Sequence, residues 1–244
     1  MTEQSLADRV PASAPVPGSG SATETTSGTG TGTGTPRLRG LLHAAAFPPA
    51  LIAGILLVAL APTERGRLSI AVFTVTAGLL FGVSALYHRG RWPPRTRALL
   101  RRFDHSNIFL LIAGTYTPLA VTLLDRRAAS TLLTLVWTGA VLGVAFRVAW
   151  IGAPRWLYVP VYLALGCAAL FWIPAFHRTG GTAVVVLIAA GGLCYVVGAL
   201  VYGFRRPDPS PRWFGFHEIF HTATVLGFTA HVVAVGLAAR AVTA

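Results

Sequence analysis

From about Leu41 onward the sequence repeats one pattern: apolar runs of membrane-spanning length alternate with short gaps that carry Arg. A spanning helix needs about 20 predominantly apolar residues. Seven runs qualify, at roughly 41–61, 68–88, 105–124, 130–150, 156–174, 182–203 and 216–238. Gaps of at most 16 residues leave no room for a soluble domain between them. The expected fold is therefore all-α: a polytopic, seven-transmembrane-helix bundle. Composition agrees, with 11% charged residues against about 25% in an ordinary soluble domain. Pro48-Pro49 interrupts the first run and predicts a kink there or a start near Phe47.

Two segments follow from the composition. Residues 1–36 end in a low-complexity run from Thr25 to Pro36, with too little apolar surface to offset ordering entropy. They read as a disordered cytoplasmic tail and not as a signal peptide. Residues 37–244 form the helical bundle.

All 20 basic residues are Arg, and with 8 acids they give a net charge of +12. The absence of Lys excludes a Schiff base or other lysine-centred covalent chemistry. The Arg residues fall in gaps and make no basic face, so nucleic acid is not an expected partner. Cys167 and Cys194 lie inside apolar runs, without the spacing of a disulfide framework or thiolate metal site. Counted by side, 14 Arg fall with the N-terminus and six opposite. The positive-inside rule puts the N-terminus in the cytoplasm and the C-terminus outside, as expected for an inner or plasma membrane protein. Trp92, Trp150, Trp156 and Trp213 fall near the expected cytoplasmic helix ends, as an interfacial belt would. A G-protein-coupled receptor has the opposite orientation.

Ionisable groups at membrane depth are expensive and mark function by default. His88 ends the second run, Asp104 opens the third, and His217 and His221 open the seventh, so these ends share one side of the bundle. Ser84 and His88 are four apart, as are His217 and His221, which places each pair on one helix face. Three neutral imidazoles and a water suit an open tetrahedral zinc site. Asp104 could orient that water or take its proton, with Ser84 hydrogen-bonding to it, and zinc would bring its pKa toward about 7. Geometry alone leaves open the plainer reading, hydrogen bonding across the bundle.

The stretches Ser84-Ala-Leu-Tyr-His88, Phe103-Asp104-His105-Ser106-Asn107-Ile108, Gly114-Thr115-Tyr116-Thr117-Pro118 and His217-Glu218-Ile219-Phe220-His221 closely resemble the hemolysin III family. That family lies within the progestin and adipoQ receptor superfamily, which includes the adiponectin receptors. The resemblance covers about residues 40–240, with the motifs in order. It implies a seven-helix bundle with zinc near the cytoplasmic face, held by His88, His217 and His221, and a water held by Ser84 and Asp104. It also implies ceramidase-like hydrolysis of lipid amides, as in some members of the superfamily, or pore formation and membrane homeostasis, as the hemolysin name suggests.

His217-Glu218-Ile219-Phe220-His221 also matches H-E-x-x-H, the metalloprotease pattern with Glu as general base. The plainer reading of Glu218 is an acid favoured at a helix N-terminus. His231, 14 positions after His217, shares its face within about 40° and reads as a satisfied core histidine. His43 and His105 read as interfacial, and His177 as an external loop residue. Gly114–Pro118 predicts a kink with Thr hydroxyls re-satisfying the backbone, and Gly191-Gly192 predicts close helix packing. Arg89–Arg102 reads as a loop that sets topology and attracts anionic headgroups.

The functional expectation is a zinc-dependent hydrolase of lipid-like amides or esters, with membrane lipids as partners. The alternatives are a pore-former or cytolysin, a sensor with structural zinc, and an intramembrane protease. Three neutral ligands beside an acid favour catalysis, whereas a pore would show a polar stripe along a whole helix.

Overall fold

The computed structural model describes residues 36–150 and 152–241; the expected tail, 1–36, lies outside them except for Pro36. Among the described residues the architecture is all-helical, without strands. Its helices are α1 (Leu41–Leu60), α2 (Glu64–Arg89), α3 (Pro94–Leu123), α4 (Arg126–Ala149), α5 (Arg155–Gly166), α6 (Ile173–Phe204) and α7 (Phe216–Ala241). A 3₁₀ segment, Cys167–Trp172, joins α5 to α6. Among the described residues, six stretches are long and apolar enough to cross a membrane, with 155–204 counted as one.

Local chemistry sets the helix starts. Thr63 caps α2 by accepting from Gly66 N at 3.1 Å. Asp125 caps α4 by accepting from Arg127 N at 2.9 Å and Ala128 N at 3.0 Å. Pro94 occupies the first position of α3, where its missing N–H is harmless. That start lies well before the expected 105. Most of the supposed Arg89–Arg102 loop is therefore helix, and Asp104 sits three turns in rather than opening the helix. Arg side chains tolerate such a start because they can reach water beyond the apolar layer.

Helix α1 runs through Pro48-Pro49, and α3 through Pro118. Around Pro118 the hydroxyls of Thr115, Thr117 and Thr122 donate to the carbonyls of Leu111, Ala113 and Pro118 at 2.7–2.8 Å. The fifth expected run instead breaks at Cys167. There the Tyr116 hydroxyl of α3 donates to the Gly166 carbonyl and accepts from Ala169 N at 3.0 Å. Gly181 interrupts α6 with φ 74° and ψ 178°, a conformation open to glycine. His177, just before it, is helical and exposed, and its Nε2 lies 3.1 Å from Thr182 Oγ1.

Helix α3 is the hub, packed against α2, α4, α5, α6 and α7. Its amide Asn107 Nδ2 donates to Leu79 O of α2 at 2.9 Å. Phe73, Phe81, Phe109, Leu119, Phe228 and Val235 are buried between helices. Outward-facing Ile55, Leu60, Leu142 and Phe171 are exposed, the inverse of a water-soluble surface and what contact with lipid requires. Helices α6 and α7 approach closely at Gly191 and Gly227, where a side chain on either would strike the other's carbonyl.

Candidate metal centre

The end of α2, the third turn of α3 and the start of α7 meet in one polar layer. His88 Nε2 and His217 Nε2 are 3.3 Å apart. One nitrogen from each of His88, His217 and His221 lies within 4.8 Å of the other two. Nitrogens on a tetrahedral zinc, with bonds of 2.0–2.1 Å, are about 3.3 Å apart. The His88–His217 pair already has that separation, and His221 needs a small shift to match it. The chemistry of the donor set fits: three imidazoles, buried or nearly so, with no fourth protein ligand among them.

Asp104 and Ser84 stand beside this cluster. Asp104 Oδ2 is 3.8 Å from His88 Nε2 and 3.5 Å from His105 Nδ1. Ser84 is buried next to the Asp104 carboxylate, without closing a strict hydrogen bond to it. His105 is more than interfacial. Its Nδ1 lies 2.8 Å from the Arg101 carbonyl, an acceptor only, so Nδ1 carries the proton and Nε2 has the lone pair. Tyr202 donates to that Nε2 at 3.4 Å and accepts from the Tyr158 hydroxyl at 3.4 Å. Tyr162 donates to the His105 carbonyl at 3.2 Å.

A cavity of about 370 Å³ opens below this layer. Asp104, Ser84, His217 and His221 line its polar end, and Leu111, Ile112, Leu119 and Ile188 line its apolar depth. Its size falls within the range of about 300–1,000 Å³ usual for small-ligand sites. His231 lines it too, and is half satisfied: Nε2 lies 3.2 Å from the Ile188 carbonyl while Nδ1 is buried without a partner. Gly192 faces the cavity, unlike Gly191 at the helix crossing.

Three features escaped sequence reasoning. His43, taken as interfacial, is buried and stacks on His221 with ring centroids 3.7 Å apart. Arg39 Nε donates to Glu218 Oε1 at 2.5 Å, while Glu218 Oε2 accepts from Gly215 N at 2.9 Å. The Glu of the H-E-x-x-H match is thus committed to an ion pair and to the helix N-terminus. Arg147, counted as a topology charge, is 1% exposed. A His before Pro-Pro and lone arginines near helix ends carry no pattern that signals such roles.

Residues 32–232 match the Haemolysin-III related family. The chain is 30% identical over 182 residues to the Hemolysin-3 homolog of Bacillus subtilis (strain 168), covering 75% of this chain and 82% of that protein. It is 32% identical over 159 residues to Hemolysin-3 of Bacillus cereus, covering 65% and 72%. With its six long apolar helical stretches, this chain belongs to the haemolysin-III related family and is a multi-pass membrane protein.

Proposed function

We propose that the protein is a zinc-dependent hydrolase of lipid-like amides or esters, built as a seven-span bundle with its N-terminus in the cytoplasm. The observation that carries this reading is the three-imidazole cluster beside a carboxylate, at the polar end of an otherwise apolar cavity. His88, His217 and His221 would hold the metal. Zinc so held would polarise a carbonyl and make a bound water acidic enough to ionise near pH 7. Asp104 would take a proton from the attacking water, and the Ser84 hydroxyl would hydrogen-bond to that water. An acyl chain fills the apolar depth, with its amide or ester carbonyl in the polar layer.

The span count rests on residues 155–204. As one straight helix of about 1.5 Å per residue they would reach about 75 Å, over twice the hydrocarbon thickness. Tyr158 near their start meets Tyr202 near their end, and Gly181 breaks the helix between. This geometry supports two passes, and with them a count of seven. The Arg asymmetry supports the orientation.

Elemental analysis of protein purified without chelator tests the site. Wild type is expected to carry stoichiometric zinc, and His88→Ala, His217→Ala and His221→Ala to lose it. A wild type free of zinc would overturn the reading. Reporter fusions at residue 36 and at the C-terminus should report opposite sides of the membrane. The committed Glu218 speaks against the protease reading. The names of the Bacillus relatives favour a second reading, membrane lysis. It predicts vesicle leakage that Asp104→Asn leaves unchanged, with no lipid-amide turnover.

A further inference from the structure

Among the described residues, five on the cavity wall carry a buried side-chain polar atom without a hydrogen-bond partner: His43, Ser84, Tyr195, His221 and His231. His43, Ser84 and His221 belong to the polar layer. Tyr195 of α6 and His231 of α7 do not. His231 lies ten residues beyond His221 on α7, about 15 Å deeper at about 1.5 Å per residue. The other deep hydroxyls of the wall are in use. Those of Thr115, Tyr116 and Thr224 donate to the carbonyls of Leu111, Gly166 and Phe220.

Glycine makes room for both rings. A Cβ at Gly191 of α6 would lie 2.5 Å from His231 Nε2, and one at Gly227 of α7 would lie 3.0 Å from Tyr195 Cε1. Each helix thus omits a side chain where the other's polar ring enters, and the ring centroids come within 5.4 Å. His231 is 7% exposed. Its Nε2 lies 3.2 Å from the Ile188 carbonyl, which only accepts, so Nε2 carries the proton and Nδ1 offers a lone pair. The Tyr195 hydroxyl is free to donate, and no hydrogen bond joins it to His231. Phe and Leu would fill the same helix crossing with no polar atom to satisfy. An unmet buried donor or acceptor is costly, so a pair of them facing one cavity marks a ligand group.

We propose that Tyr195 and His231 form a second polar subsite, deep in the cavity, for a hydroxyl carried partway along the occupant's hydrocarbon chain. A hydroxyl both donates and accepts: it donates to His231 Nδ1 and accepts from the Tyr195 hydroxyl. A carbonyl or ether oxygen serves Tyr195 alone, and an unsubstituted chain serves neither. The preferred class is therefore a chain hydroxylated well away from its head group. The proposal rests on the reading of the cavity as a chain site, and it needs neither the metal nor the chemistry of the polar layer.

The test uses the full chain in neutral detergent, stripped of metal with chelator, so that failure of the zinc assignment leaves its outcome unaffected. Retention of labelled ester by immobilised protein is measured for methyl oleate, for methyl ricinoleate, which adds one mid-chain hydroxyl, and for a methyl oleate hydroxylated beside the ester. Methyl ricinoleate is expected to bind about tenfold or more tighter than either of the others, because a dry site built for a hydroxyl rejects a chain that lacks one there. Tyr195→Phe and His231→Leu should each lower that preference about threefold or more. Equal binding of the three esters would overturn the proposal while leaving the chain reading standing, and would assign the two polar atoms to a shared water. Binding of none of them would overturn both. A preference shared by the isomer hydroxylated beside the ester would place the contact in the polar layer, and would also overturn the proposal. So would full retention of the preference in Tyr195→Phe. If His231→Leu fails to fold, the ester comparison on wild type and the Tyr195→Phe variant still decide the matter.

Discussion

His217 and Glu218 are consecutive residues of α7, yet they belong to different parts of the molecule. His217 faces His88 across the polar layer, with Nε2 atoms 3.3 Å apart. Glu218 is 0% exposed and turns to Arg39 and to the backbone of Gly215. One step along a helix rotates a side chain by about 100°, and His221 returns to the His217 face four residues on. A motif match treats these residues as one device. The helix separates them into a histidine face that meets the cavity and an acidic face that ties the segment before α1 to the start of α7.

The sharpest break of that comparison is Asp104→Asn set against Glu218→Gln. If the histidine face is the reacting one, Asp104→Asn keeps zinc and loses about 10²–10⁴-fold in lipid-amide turnover, as loss of a general base does. Turnover and zinc content measured on the same preparation check it, and an inactive Glu218→Gln beside an active Asp104→Asn would reverse the assignment. Glu218→Gln should act on stability instead, leaving Arg39 without its partner. The expected loss is about 3 kcal/mol, the low end for a broken buried pair because Arg39 is 20% exposed. Thermal unfolding in detergent reads that loss, and Arg39→Gln should reproduce it. Turnover per folded molecule should stay within a few-fold of wild type.

Smaller effects sharpen the boundary of the site. Ser84→Ala removes a neutral hydroxyl beside Asp104, so its turnover should fall less than in Asp104→Asn, at unchanged zinc content. The smallest effect is expected from His231→Ala. His231 lines the cavity, but its Nε2 is occupied by the Ile188 carbonyl and it stands outside the three-histidine cluster. Its zinc content should match wild type, and a loss would extend the metal site deeper into the bundle.

The apolar runs and their Arg-bearing gaps were legible in the chain because hydrocarbon admits few charges, and run length therefore reports crossing length. The common layer of His88, Asp104, His217 and His221 was legible for a related reason. Successive helices alternate direction, so residues at matching ends come to one side whatever the loops do. Helix faces could be read too, since spacing of four fixes them. What lay beyond reach was rotation of one helix against another, which packing of many side chains sets jointly. That rotation stacks His43 on His221, turns Glu218 toward Arg39, and buries Arg147 under Tyr158. A charge near a helix end has the same sequence signature whether its head reaches water or lies between helices. Only the neighbours supplied by α5 and α6 distinguish the two.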